Sequence, residues 1–345
     1  MNSCAIGKGT PRHKGRRIRR TLVQAAAFAL VAGSAVACGD EEEAPASGGS
    51  GTTETIAIAT VPIAEFSPLW LGMEKGFFAE EGIELEPRDY ASGAAMVPAA
   101  VSGEVAMGMS NVASLMAARN QGLPVKVIAP ITQAGTTASE DPIGIVAANG
   151  SSVQALADLA GKTVAVQGLG TINEVVNREA IARAGVDVNS VRFVEIAWPD
   201  QGQALAQGQI DAAATNEPYL TEHVNAGHRL LANPFSEMMP GATLTGVFTT
   251  DDYLDENQDL IDGFIRAWSK SLEYANDHQD EARAIVTTYS EVDPDALAQV
   301  RSSGWSPQIN MESFQLQSEL SVKYQVLDKA IDMDDLVYAG ANKTS

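Results

Sequence analysis

Three short stretches place glycine, hydroxyl or amide residues just ahead of segments with helical composition: Ser92-Gly93, Ser110-Asn111 and Gly168-Leu169-Gly170-Thr171. A helix start offers unpaired backbone N–H groups and the favourable end of the helix dipole. The chemistry on offer is recognition of a small anion. Ser92, Ser110 and Thr171 suit a second role equally well, as N-caps of their own helices. Phe66, Trp70, Trp198 and Tyr219 could wall a pocket in which a few polar groups fix orientation. Trp70 falls inside a helical segment and reads as core, whereas Trp198, just before Pro199, sits on a loop and reads as a ligand wall. Glu217, in Asn216-Glu217-Pro218-Tyr219, reads either as a charge at a helix start or as a ligand acceptor.

Catalytic constellations are missing from the sequence. Beyond the N-terminal leader the histidines are His223, His228 and His278, and none has metal-ligand spacing. No Gly-x-Ser-x-Gly elbow and no phosphate-binding P-loop occurs. Gly168-x-Gly170 is too short for a dinucleotide fingerprint. No cofactor, metal or catalytic residue is expected.

The elements that must position these residues follow one repeated order. Residues 55–61 alternate like a strand, 69–80 are helical in composition, Gly82 stops the helix, and 83–87 form a strand. Helix 94–101, Gly103, strand 105–109, helix 112–121 and strand 125–131 follow. The same order returns as strand 163–166, helix 172–184, Gly185, strand 191–196, helix 201–207, Gly208 and strand 211–215. Such alternation predicts parallel strands with helical crossovers, and the repeat predicts two similar α/β domains. A return strand at 243–250 leads into a helical tail expected to pack on the first domain. The expected division is residues 54–148 with 243–345 as a discontinuous domain 1, and 149–242 as domain 2. The chain would cross near 148–152 and near 240–245, a two-strand hinge. Ligands of open parallel sheets sit beyond the carboxyl ends of the strands. That places the candidate site on loops 62–68, 90–94 and 110–112 of domain 1 and on loops 167–173, 197–201 and 216–219 of domain 2.

The N-terminus carries an address. Residues 1–37 hold seven basic residues and no acidic one, and the apolar run 22–37 is too short to span a membrane. This pattern predicts a signal peptide over 1–37. Cys38, after Ala35-Val36-Ala37, reads as a lipidated N-terminus, and the acidic, Gly- and Ser-rich residues 39–53 read as a flexible tether. Sixteen Lys and Arg then remain against 44 Asp and Glu, a net charge of −28. That balance argues against nucleic acid. With Cys4 and Cys38 as the two cysteines, the mature chain has no disulfide.

Residues 68–83 (PLWLGMEKGFFAEEGI), 158–166 (DLAGKTVAV) and 216–219 (NEPY) resemble the extracytoplasmic solute-binding proteins of ABC importers, in the branch for nitrate, sulfonates, taurine and thiamine-pyrimidine precursors. The resemblance covers nearly the whole chain after the tether. It implies a type II periplasmic-binding-protein fold, with two doubly wound α/β domains closing about a two-strand hinge on a cleft. It further implies a monomer that delivers a small-molecule ligand to a membrane permease with a cytoplasmic ATPase. Family contacts fall on the loops of Phe66 and Ser67, Ser92 and Gly93, Ser110 and Asn111, Gly170 and Thr171, and Glu217; Trp198 joins them from the loop reading. Pyrimidine-synthesising relatives use a cysteine-rich motif, and no cysteine follows Cys38. The leading expectation is a small organic anion or zwitterion of the sulfonate, taurine or nitrate type. The alternative ligand is a neutral amino-heterocycle such as a thiamine-pyrimidine precursor, and a lesser alternative is an extracellular enzyme on the same fold.

Overall fold

The computed structural model describes residues 53–90, 93–290, 297 and 304–342. The leader, Cys38, most of the tether and Ser92 lie outside the described residues. Twelve strands are described: β1 (Glu54–Thr60), β2 (Ile83–Asp89), β3 (Met107–Asn111), β4 (Val125–Pro130), β5 (Thr132–Gln133), β6 (Ile143–Ala147), β7 (Thr163–Val166), β8 (Arg192–Glu195), β9 (Ala212–Asn216), β10 (Arg229–Ala232), β11 (Thr245–Thr250) and β12 (Gly304–Trp305).

The first sheet runs β2-β1-β3-β11-β4 and the second β10-β6-β9-β7-β8. In each, three parallel strands (β2-β1-β3 and β8-β7-β9) are followed by one antiparallel strand, β11 or β6. The two sheets are therefore the same arrangement twice, as the repeated pattern predicts. Gly82 and Gly185 end the equivalent helices at φ +73° and +87°, a region where a Cβ is strained.

β6 corrects the expected crossing point. It pairs with β9 and β10, so Ile143–Ala147 belongs to the second sheet and the chain leaves the first sheet before Ile143, not near 148–152. The apolar run fits a central strand of either sheet, and only its partners assign it. The two crossing segments run side by side: Gln133 bridges Thr243, and the Ala134 amide donates to Ala242 O at 2.8 Å. Asp141 anchors the outgoing segment by accepting from the amides of Ile143 and Ser236.

The first sheet's core is closed by the helix Gln258–Asp277. It buries Ile261, Phe264, Ile265, Trp268 and Leu272 at helical spacing. The Trp268 indole donates to Pro130 O at 2.7 Å, tying this helix to the end of β4. The helical tail does more than pack on the first sheet. The helix Met311–Lys323 lies against Ile172–Arg183 of the second, where Lys323 and Tyr324 donate to the buried Glu179 carboxylate. β12, paired with β5, is too short to leave a sequence pattern.

Candidate functional site

On the first sheet, β1 leads through the 3-10 turn Ala64–Phe66 into the helix Ser67–Glu74, with Pro68 in its first turn. Ser67 is 1% exposed and its hydroxyl has no hydrogen-bond partner among the described residues. Phe66 is buried in the core beneath the loop, so it supports the site from behind. Ser110, near the end of β3, repeats the pattern: 1% exposed, with an unpartnered hydroxyl. Asn111 is the N-cap of Val112–Asn120, its Oδ1 accepting from the Ser114 amide at 2.8 Å. Gly93 opens the helix Gly93–Val101 directly against Ser110; a Cβ there would overlap the Ser110 hydroxyl and lie 3.2 Å from its Cα.

On the second sheet, the glycine loop after β7 is already occupied. Thr171 caps Ile172–Arg183, accepting from the Glu174 amide and donating to Gly168 O. The Glu174 carboxylate takes the Gly170 amide at 2.6 Å, and Glu195 takes the Leu169 amide at 3.2 Å. Two amides that the sequence offered to an anion thus already hold carboxylates. The spacing Thr171-x-x-Glu174 is the capping-box signature, so this was readable in the chain. Trp198 is the half-buried first residue of Trp198–Ala206. The Glu217 carboxylate accepts from both the hydroxyl and the amide of Thr221, at 2.9 and 3.2 Å. This supports a role at the start of Tyr219–Asn225.

Two further residues hold open polar atoms here, Gln201 at the end of the candidate loop 197–201 and Thr215 on β9. Gln201 is fully buried and donates from Nε2 to Ile196 O and Ala214 O, leaving Oε1 unpartnered. Thr215, at the end of β9, is 1% exposed with an unpartnered hydroxyl. A buried polar atom without a partner costs roughly 1–3 kcal/mol. Each sheet therefore ends in hydrogen-bonding capacity that the described protein does not use: Ser67 and Ser110 on one, Gln201 and Thr215 on the other. Among the described residues no group of three or more His, Cys, Asp or Glu could hold a metal ion, and no helix is long and apolar enough to cross a membrane.

A family model described as NMT1/THI5 like matches residues 63–282. This chain belongs to the NMT1/THI5-like family. Among its relatives, the formylaminopyrimidine-binding protein of Halalkalibacterium halodurans is 24% identical over 242 residues, 68% of this chain and 70% of the relative. The putative aliphatic sulfonates-binding protein of Bacillus subtilis is 24% identical over 307 residues, 85% of this chain and 89% of the relative. The solved periplasmic aliphatic sulphonate binding protein SsuA from Escherichia coli matches with a TM-score of 0.69 at 17% identity, covering 85% of this chain and 94% of that one. The NMT1/THI5-like chain thus has the type II periplasmic-binding-protein fold, built as two doubly wound lobes. Of the expected site residues, the structure packs Gly93 against Ser110 and leaves the hydroxyls of Ser67 and Ser110 open. It commits Asn111 and Thr171 to helix caps.

The open hydroxyls give a prediction with two readouts. Ser67→Ala and Ser110→Ala each remove an unsatisfied buried group, so the unliganded protein should be as stable as wild type or about 1 kcal/mol more stable in chemical denaturation. The same variants should bind ligand tenfold or more weakly. Lost stability without lost affinity would assign these hydroxyls to the fold.

His223 supplies a pH dependence. It is 4% exposed, its Nε2 has no partner among the described residues, and burial, helped by nearby His228, pushes its pKa down to about 4. The unfolded chain takes up the proton near 6.5 while the folded chain resists it. Stability from this source is whole above pH 6.5 and falls with pH toward 4, by about 1–2 kcal/mol at pH 5. In His223→Gln, denaturation midpoints at pH 7 and pH 5 should differ less than in wild type.

Proposed function

We propose that this protein is the solute-binding component of an ABC importer, and that it captures a small organic anion or zwitterion of the sulfonate type between its lobes. The observation that carries this reading is the set of unpartnered buried hydroxyls, Ser67 and Ser110 on the first sheet and Thr215 on the second, at or beside the carboxyl ends of parallel strands. Three hydroxyl donors suit an acceptor-rich, multi-oxygen group, and two lobes that close on it keep water out. A second reading rests on Gln201 Oε1, an unpartnered acceptor that suits a ligand N–H, as in an amino-heterocycle. The protein acts by binding and not by turnover. No cysteine follows Cys38, and the buried histidine is held neutral. Its place is outside the cytoplasm, held at the membrane through a lipid on Cys38 and loaded as a monomer next to its permease.

Thermal-shift measurement against alkanesulfonates, nitrate, carboxylates and aminopyrimidines tests the reading. A ligand at a hundred times its Kd adds about 2.7 kcal/mol, roughly 5 °C or more in Tm for a chain of this size. The expected stabilisers are sulfonates. Stabilisation by aminopyrimidines alone would select the second reading, and turnover of any ligand would contradict both. Cys38→Ser should release the protein from the membrane fraction or leave it unprocessed; unchanged membrane association would contradict the anchor.

A further inference from the structure

At the far end of the second sheet a tight turn presents an unprotected asparagine. β6 runs antiparallel to β9, from Ile143 opposite Asn216 to Ala147 opposite Ala212. Residues just beyond Ala147 therefore lie at the amino end of β9, the opposite end from the candidate ligand site. The Ser151 amide donates to Ala148 O at 3.1 Å and closes a four-residue turn with Asn149 and Gly150 at its centre. Gly150 sits at φ +74°, a region that glycine enters without steric cost. Both central residues are exposed.

This is the one Asn-Gly pair of the sequence. Ring closure at an asparagine needs a following residue without a bulky side chain, a following N–H free of hydrogen bonds, and a side-chain amide free to turn onto it. Gly150 meets the first condition. Among the described residues the Gly150 N–H has no acceptor and the Asn149 side chain makes no hydrogen bond. The Asn149 backbone N–H is held instead, donating to His228 Nδ1 at 3.0 Å, and its side-chain amide lies over Gly227, where a Cβ would come within 3.2 Å of Nδ2. Other exposed asparagines with a small follower are protected. After Asn189 the Ser190 N–H donates to Asp187 O at 2.9 Å, and after Asn225 the Ala226 N–H donates to Glu222 O at 2.9 Å.

We propose that Asn149 is a site of spontaneous deamidation. The deprotonated Gly150 nitrogen attacks Asn149 Cγ and forms a C–N bond. The Cγ–Nδ2 bond breaks, and Nδ2 takes a proton from water and leaves as ammonia. One water then opens the five-membered imide, at the Cγ carbonyl to give an aspartate or at the α-carbonyl to give an isoaspartyl link. Water is consumed, ammonia is released, and nothing is oxidised or reduced. Each event adds one negative charge at the end of the lobe remote from the candidate site. The modification therefore marks the age of the protein without touching ligand capture, and it stands independently of the binding reading.

The test is incubation of the processed protein at 37 °C, at pH 7 and pH 8 and in parallel in urea, with peptide mass mapping over several weeks. The expected result is conversion at Asn149 at least tenfold faster than at Asn189, and severalfold faster at pH 8 than at pH 7, as attack by a deprotonated nitrogen requires. The native rate should also stay within tenfold of the rate in urea, because the fold leaves the pair free. Conversion no faster than at Asn189, a rate that ignores pH, or a native rate more than tenfold below the urea rate overturns the proposal. Asn149→Ser should abolish the acidic species that accumulates in wild type on isoelectric focusing, and its persistence in that variant would also overturn it.

Discussion

Gly93→Val should reduce ligand affinity a hundredfold or more, about 2.8 kcal/mol, while the protein still folds. The N-terminus of Gly93–Val101 lies so close to β3 that any Cβ at residue 93 meets the Ser110 hydroxyl and comes within 3.1 Å of Ser110 Cβ and 3.2 Å of its Cα. A flexible side chain could move aside, but strand backbone cannot, so the helix start must shift. Overpacking of this kind costs about 1–3 kcal/mol of stability, within the reserve of an ordinary domain. The larger consequence falls on the site. The shift displaces the helix start and the Ser110 hydroxyl together, and recognition by several aligned donors is sensitive to ångström displacements. Calorimetric titration of the folded variant checks this. Affinity within threefold of wild type would show that this helix start is structural only.

Trp268→Ala should cost about 3–5 kcal/mol in chemical denaturation. Trp268 is fully buried, packs parallel to Phe264 with ring centroids 6.0 Å apart, and is hydrogen-bonded to Pro130 O. Its loss leaves a cavity beneath the first sheet and an orphaned carbonyl at the end of β4. Pro130 lies two residues before β5 and the outgoing crossing segment, so the damage should reach the hinge. Trp268→Phe keeps most of the packing and loses the hydrogen bond, and should fall between the two. A cost below 1 kcal/mol for Trp268→Ala would mean that this helix is not part of the cooperative core.

Much of the frame was legible because it is local. Alternating strands such as Glu54–Thr60, helices ended by Gly82 and Gly185, and the return of the same order in the second half all follow from short-range preferences. The parts that were not legible depend on pairing between distant residues. Ile143–Ala147 reads as a strand, but its assignment to the second sheet is decided by Asn216 and Ala212, some seventy residues on. The Trp305 indole donates to Glu65 O and the Tyr289 hydroxyl to Ile63 O across more than two hundred residues, and no spacing rule connects them. Within the site, the loops were correctly anticipated as helix starts but not how far they were already filled. Thr171-x-x-Glu174 has the capping-box spacing, and the acid three residues on, not the glycine or hydroxyl, marks these amides as taken. Gln201 is not legible in the same way, because a glutamine in a helix gives no sign of burial until the helix is docked against Ala214.

Capture of a small polar ligand in one cleft per chain should be reversible and leave the ligand unchanged. Its most direct test is calorimetric titration of the processed protein with ethanesulfonate and 2-aminoethanesulfonate, followed by analysis of the recovered ligand. Saturable binding at one site per chain is expected, micromolar or tighter (about −8 kcal/mol), with the ligand recovered unchanged. No saturable heat at millimolar ligand, or recovery of a converted product, would contradict it.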